Sequence, residues 1–466
     1  MNNESKLPLF KHKRHLAIHM DNGEAWLNID FHATQLGWVI VPVPHFFSVK
    51  QIQYMVEQAG IDTVCCGESH LNWWQSLGFD GDEISAGVFC LTRDNALEVS
   101  LPEGTHKITF TSGTTDEPKG VCLSQHHLNT VGQSLSQATA HLGITKHISL
   151  LPYSVLLENM ATSYATDHFD NKTMQPIEVV SLPLSDVGLT GSGQFDVKVM
   201  LAAITKHQAD SMIMMPQMLK QLVAYLMEHN QDLSFVKFIA VGGAVCSAKL
   251  IRQAHELGLP VYQGYGISEC GSVICLNNTH EALESVGVPL PHCDVVLAED
   301  GEIKVIGSQF LGYLGMKPNN QSGAFCTGDI GCLDTQGRLQ ITGRKKHVII
   351  NSFGRNILPD WIEGEILTVP MIHQAVVFGD AQPTLTALCV TELEQHELQV
   401  AVDQLNQNLP DYAQIKTVIK VAPFTVTNGL LTPSGKLKRS AIFKQYQQIL
   451  ESIYDSSIET TTAIGF

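Results

Sequence analysis

Apolar residues at Leu128, Val131, Leu135, Ala138 and Leu142 recur at three- and four-residue spacing, which predicts a helix with one buried face. The run Lys107-Ile108-Thr109-Phe110 before it reads as a strand. Upstream, Gly37 to Pro44 is a buried-strand pattern ended by prolines, Val49 to Ala59 is helix-like, and Thr63 to Cys66 is again strand-like. That alternation predicts α/β units with parallel strands. Further strands are expected at Ser149 to Leu151, Ile177 to Val180 and Ser211 to Met215. Pro216 then opens a helix from about Gln217 to Glu228, proline suiting a first helical turn. Phe238 to Val241 runs as a strand into the tight turn Gly242-Gly243-Ala244. From Asp294 to Thr342 alternating strands dominate, with Asp334 to Gly337 as a hairpin turn between Cys332-Leu333 and Leu339 to Ile341. Beyond Gly343 the basic segment Arg344-Lys345-Lys346-His347 opens a stretch of mixed elements. The expectation is an α/β protein. Residues 1–343 form a large N-terminal α/β domain with a β-rich subdomain, and residues 344–466 a small α+β C-terminal domain.

Composition narrows the function classes. With 466 residues, 44% hydrophobic and 16% charged, the chain has ordinary globular makeup and ample length for two cores. A formal net charge of −17 argues against a nucleic-acid partner and against electrostatic attachment to anionic lipid. Eleven cysteines without a Cys-x-x-Cys pair read as scattered reduced core thiols. Twenty histidines include no His-Glu-x-x-His helix, so a metal held mainly by His and Cys is not expected. No apolar run reaches the ~18 residues of a membrane span, and Lys11, Lys13 and Arg14 are not followed by a signal-peptide core. A cytoplasmic location is expected.

The chemistry is concentrated in four segments. Thr111-Ser112-Gly113-Thr114-Thr115-Asp116-Glu117-Pro118-Lys119-Gly120 lies between a predicted strand and a predicted helix. Small hydroxyl residues and glycine there offer backbone N–H groups and side-chain donors to a polyphosphate, and Lys119 adds a point charge. It is not a Walker loop, because Gly120-Val121 follow the lysine. The second segment is Tyr262-Gln263-Gly264-Tyr265-Gly266-Ile267-Ser268-Glu269. The third is Thr327-Gly328-Asp329 with Gly343-Arg344, and the fourth Leu431 to Arg439 with Lys436 in a Pro433-Ser434-Gly435 turn. Taken singly, each has a bland explanation: a turn, a capping aspartate, a solvated basic face, an exposed loop lysine.

In this order and spacing, from about Asp21 to Arg439, they resemble the adenylate-forming superfamily of acyl-CoA synthetases, peptide-synthetase adenylation domains and beetle luciferases. Gly343 to Lys346, with Phe353-Gly354-Arg355-Asn356-Ile357 and Pro359, is most similar to the long-chain fatty acyl-CoA synthetases. The resemblance implies ATP, Mg²⁺ and CoA as reactants. Thr111, Ser112, Gly113, Thr114, Thr115 and Lys119 would hold the outer phosphates, and Thr111 with Glu269 the Mg²⁺. Gly243, Ala244, Gln263, Gly264, Tyr265 and Gly266 would form the adenine slot, followed by Ser268 where threonine is usual. Asp329 and Arg344 would bind the ribose. Lys436 would bridge the attacking carboxylate and the α-phosphate. The C-terminal domain would be mobile, hinged at Lys346, and would present the face around Gly354 to the thiol. Lys436, Glu269 and Lys119 are the implied catalytic residues.

Three departures stand out. Asp116 replaces the usual glycine near the triphosphate, which puts ATP affinity in doubt. Val155 stands where many relatives carry histidine and suits a greasy substrate. The region before the phosphate loop is shortened. Met212, Met214, Met215 and Met218, with Leu219 and Leu222, would either line a pliable acyl tunnel or pack the core. The reading is an ATP-dependent medium- or long-chain fatty acid–CoA ligase. One alternative is a fatty acyl-AMP ligase that loads an acyl-carrier protein in trans, and another is a degenerate binder without turnover. A homodimer is left open.

Overall fold

The run Leu16-Ala17-Ile18 has no polar side chain and no exposed surface, as the middle of a sheet covered on both faces requires. In the computed structural model, which describes residues 14–111, 118–165, 176–190, 194–244, 246–277, 282–316, 323–352, 355–432 and 435–462, this run lies in the strand His15–His19. It pairs in parallel with Val39–Pro42 on one side and Thr63–Gly67 on the other. The eight-stranded sheet continues outward through Thr105–Thr111, Lys119–Ser124 and Gly312–Tyr313 at one edge. At the other edge lie Val88–Thr92 and Asp80–Ser85. Parallel pairing holds only in the middle. Thr63–Gly67 and Thr105–Thr111 each meet their outer neighbour antiparallel. Lys107 is fully buried in this sheet, its ammonium 2.8 Å from Asp30 Oδ1 and 2.6 Å from Asn159 Oδ1.

A seven-stranded sheet follows, in the order Val288–Pro289, Cys275–Leu276, Val261–Tyr265, Phe238–Val241, Ser211–Met214, Lys146–Ile148, Glu178–Val180. Ser211–Met214, Phe238–Val241 and Val261–Tyr265 run parallel in successive pairs. Helix Pro216–Glu228 has proline in its first turn and buries Met218, Leu219, Leu222 and Val223. With Met212 and Met214 these residues belong to one hydrophobic core, and Met215 packs at its margin. Most of the methionine-rich stretch is therefore core.

Two expectations need correction. Residues 112–117 do not connect a strand to a helix. Lys119–Ser124 is a strand that pairs back on Thr105–Thr111, so the phosphate-loop stretch joins two antiparallel strands. The expected helix, Gln125–Thr139, begins only after it, capped by the Ser124 hydroxyl, which accepts from His127 N. The apolar run Val121-Cys122-Leu123, buried in full, was the strand signal that the lysine and glycine before it obscured. Second, the strand expected at Ser149 to Leu151 is Lys146–Ile148. The Asp210 carboxylate accepts from the backbone N–H groups of Thr145 and Lys146, and Lys146 pairs with Glu178 at 3.0 Å, which fixes the paired register there. Leu150 and Leu151 are apolar because they are buried, not because they pair in the sheet. The turn at Asp334 to Gly337 forms as expected, with Asp334 N donating to Arg338 O and Gly337 N to Asp334 O. Nine cysteines are buried and free, whereas Cys326 and Cys332 are exposed rather than core.

The chain divides into two compact units, the second comprising residues 299–302, 328–332 and 341–466. Within it, Leu385–Thr391 is buried throughout and lies between Ile372–Phe378, antiparallel, and Ile415–Lys420, parallel. Helices Pro359–Ile366 and Gln395–Asn406 bury Ile362, Ile366, Leu398 and Val402 against this sheet.

Candidate active site

In the first unit the site is assembled at strand ends. Thr111 closes the strand Thr105–Thr111 opposite Lys119, and its hydroxyl lies 3.4 Å from the Lys119 carbonyl. Ser112, Gly113, Thr114, Thr115 and Asp116 lie outside the described residues. The exposed Lys119 ammonium sits 5.4 Å from the centre of the Tyr313 ring. Tyr313 is held there by its own strand, Gly312–Tyr313, which pairs antiparallel with Lys119–Ser124. Its hydroxyl donates to Glu269 Oε1 at 2.8 Å. Burial first, then the neighbouring Glu269 carboxylate, pushes the Tyr313 phenol well above its usual range, so it stays protonated and can donate. The structure thus brings Thr111 next to Lys119, and joins Lys119 to Glu269 through Tyr313. Sequence reasoning missed Tyr313. Nothing local in Gly312-Tyr313 marks it, because all its polar partners are distant in the chain.

Glu269 projects from the single turn Ser268–Cys270. The turn is over-determined. Ile267 O accepts from Cys270 N and Ser272 N, Ser268 O from Gly271 N, and Glu269 O from Phe310 N. Gly271 and Ser272 both have positive φ. A Cβ on Gly266 would lie 1.9 Å from Ser272 O, so only glycine fits there. Behind the turn, His127 Nε2 is 2.7 Å from the Ser308 hydroxyl, which donates to Cys270 O at 3.3 Å. Because that hydroxyl has one proton, His127 must donate from Nε2, leaving Nδ1 without a partner among the described residues. Burial, then the nearby His292, lowers the His127 pKa to about 4.

The expected adenine-slot residues lie at the carboxyl ends of adjacent parallel strands, where open α/β sheets place ligands. Gly243 and Ala244 are exposed just past Phe238–Val241, and Gly243 has a φ of 79°. Gln263, Gly264 and Tyr265 end Val261–Tyr265. The Gln263 amide is spent on Leu283 O, while Gly264, Tyr265, Gly266 and Ser268 are half-buried. A Cβ on Gly242 would lie 3.3 Å from Gly264 O, so the two strand ends approach closely.

In the second unit, buried Asp329 pairs with Arg344, Oδ1 to Nε at 2.6 Å. Lys346 is exposed in the turn Lys345–His347. Gly354 lies outside the described residues, as do Pro433 and Ser434. Lys436 is exposed on a tight loop in which Thr432 N donates to Lys436 O at 2.7 Å and Lys436 N to the Thr432 hydroxyl at 3.0 Å. Sequence reasoning also missed Asp360. Its carboxylate accepts from Arg344 N and from Arg439, tying the segment before Lys346 to the helix that follows the Lys436 loop. Arg439 also pairs with buried Glu363. An acidic residue in a first helical turn gave no signal of that role.

The AMP-binding enzyme family matches residues 10–317, about two thirds of the chain. The chain belongs to this family. Residues 346–458 match the C-terminal domain of AMP-binding enzymes. Among curated relatives, the long-chain-fatty-acid–CoA ligase FadD15 of Mycobacterium bovis is 32% identical over 46% of this chain and 41% of its own length. The chloroplastic long-chain-fatty-acid–[acyl-carrier-protein] ligase AEE15 of Arabidopsis thaliana is 25% identical over 76% of this chain and 62% of its own. The chain therefore spans less than two thirds of the length of either relative. Among solved structures, the O-succinylbenzoate coenzyme A synthetase MenE of Bacillus subtilis, in complex with ATP and magnesium ion, superposes with a TM-score of 0.72. That match has 22% identity and covers 92% of this AMP-binding family member and 89% of the synthetase. The likeness establishes the adenylate-forming fold.

Proposed function

We propose that the protein activates a carboxylic acid with ATP and passes the acyl group to the thiol of CoA, with a medium- or long-chain fatty acid as substrate. The observation that carries this reading is the Lys119–Tyr313–Glu269 cluster, which links a cation and a carboxylate through one tyrosine, with Thr111 opposite Lys119 on the neighbouring strand. In the first step a carboxylate oxygen attacks the α-phosphorus of ATP, the bond to the β-phosphate oxygen breaks, and pyrophosphate leaves. In the second the thiol sulfur attacks the acyl carbon, AMP departs, and the thiol proton passes to solvent.

Each residue meets a need of the first step. Two anions must approach, so positive charge has to be in place before they meet. Lys119 supplies it to the outer phosphates and Lys436 at the α-phosphate. Among the described residues Tyr313 is the one hydrogen-bond partner of the Glu269 carboxylate, and it occupies only Oε1. Oε2 and the Thr111 hydroxyl would offer oxygen donors of the kind Mg²⁺ prefers. When bound, Mg²⁺ would offset charge on the phosphate oxygens. Asp329, held by Arg344, would accept the ribose hydroxyls, and Gly243, Ala244 and Gln263 to Gly266 would flank the adenine. Lys346 would serve as hinge and Gly354 as the face met by the thiol.

Val155, which begins the helix Leu156–Asn159 from its cap position, favours an apolar acyl group. The carrier-protein ligase relative supports a second reading, in which the acceptor is the phosphopantetheine thiol of an acyl-carrier protein. Thioester formation from decanoate and ATP, measured with CoA and with holo-acyl-carrier protein, separates the two. Product with CoA alone supports the ligase reading. Product with the carrier alone supports the second.

A further inference from the structure

Resting on that reading, we infer that Tyr313 is a positioning residue that sets Glu269 and Lys119 for the phosphates through two separate contacts. The strand Gly312–Tyr313 is braced on both flanks. Leu311 N donates to Cys122 O and Leu314 N to Gly120 O, so the segment is stitched to the strand that begins with Lys119. A Cβ on Gly120 would already lie 3.0 Å from Leu314 Cβ, so the two backbones have no slack between them. The Tyr313 ring packs edge-on to Phe310 at 4.8 Å, and Phe310 N is bonded to Glu269 O. Tyr313 is therefore fixed relative to the Lys119 strand on one side and the Glu269 turn on the other.

From that position its two ends do different things. The hydroxyl donates to Glu269 Oε1, which restrains the carboxylate through that oxygen and leaves Oε2 out of the contact. The ring lies beneath the Lys119 ammonium, whose charge is attracted to the aromatic face. This lysine is exposed, and among the described residues the ring is what restrains the rotamers of its flexible stem. A carboxylate that must share a cation with phosphate, and a lysine that must meet the same phosphates, are thus referenced to one rigid side chain. Substitutions at its two ends should separate.

Tyr313→Phe removes the hydroxyl and keeps the ring. It should raise the Mg²⁺ concentration for half-maximal pyrophosphate release about tenfold, the scale of one hydrogen bond to a charged group. Metal-free ATP binding, followed by calorimetry with ATP and EDTA, should be unchanged. Tyr313→Leu removes both contacts. It should show the same metal shift and, in addition, weaken metal-free ATP binding by roughly threefold to tenfold. A double-mutant cycle tests whether the hydroxyl acts through the carboxylate. In a Glu269→Gln background, Tyr313→Phe should cause no further loss in calorimetric binding of Mg·ATP. The inference is overturned if Tyr313→Phe keeps the wild-type Mg²⁺ midpoint, or if the loss persists undiminished once Glu269→Gln is also present. A fall in thermal stability and rate with an unmoved midpoint would make Tyr313 merely structural, which also overturns it. Absence of pyrophosphate release by the wild-type protein would count against the ligase reading. The calorimetric cycle would still decide the role of Tyr313.

Discussion

His127 shows how one buried side chain can brace the turn that carries Glu269. Its Nε2–H holds Ser308, Ser308 holds Cys270 O, and Cys270 ends the turn that carries Glu269. A second proton would have to enter at Nδ1, which is buried and has no acceptor among the described residues. The folded protein therefore resists protonation until about pH 4, whereas the unfolded chain accepts the proton near 6.5. The unfolded state binds the proton first. Stability from this group is complete above about pH 6.5 and falls as the pH drops to about 4, by about 3 kcal/mol in all. His127→Gln keeps an N–H donor for Ser308 but cannot titrate. Urea unfolding midpoints measured between pH 7 and pH 4 should fall less steeply for this variant than for the wild type. Parallel slopes in the two proteins would show that His127 is not the titrating group.

At the scale of elements, the turn from Gly266 to Ser272 concentrates the backbone constraint. Gly266→Ala sets a methyl 1.9 Å from the Ser272 carbonyl oxygen, and no rotation of that methyl relieves the clash. Glu269 would be displaced by an ångström or so, which costs on the order of 10²-fold in rate. Gly23→Ala is the control, since a Cβ there meets nothing within 4 Å. Pyrophosphate release should collapse in the first variant and persist in the second. Equal activity in both would show that the turn tolerates the methyl. Much of this level was legible in the sequence. Apolar periodicity predicted Gln125–Thr139, and Pro216 marked the start of its helix. The turn signal at Asp334 to Gly337 placed a hairpin correctly. What failed was pairing. That Lys119–Ser124 turns back on Thr105–Thr111 depends on hydrogen bonds that leave no periodic trace when a strand is apolar throughout. Tyr313 was illegible for the same reason, since its role exists only once three separate segments have met.

For the whole molecule, the family assignment and the two compact units are compatible with the proposed reaction in two half-steps. Lys436 stands on a loop closed by Thr432, an arrangement that presents one cation without burying it. In the proposed reading that charge is needed only while carboxylate and α-phosphate meet. Lys436→Ala should then lower pyrophosphate release by about 10²–10³-fold, the cost of losing a donor to a charge-developing transition state. Thioester formation from supplied acyl-AMP and CoA should stay within a few-fold of wild type. Equal loss of both half-reactions would assign the lysine a structural role.

If ATP activates the acid before any thiol takes part, pyrophosphate must exchange into ATP with no acceptor present. Labelled pyrophosphate is incubated with the wild-type protein, ATP, Mg²⁺ and decanoate, with no CoA and no carrier protein. Label should appear in ATP, and only when the acid is present, because adenylate formation is reversible. No exchange, exchange independent of the acid, or ADP and inorganic phosphate as products would show that no acyl-adenylate forms.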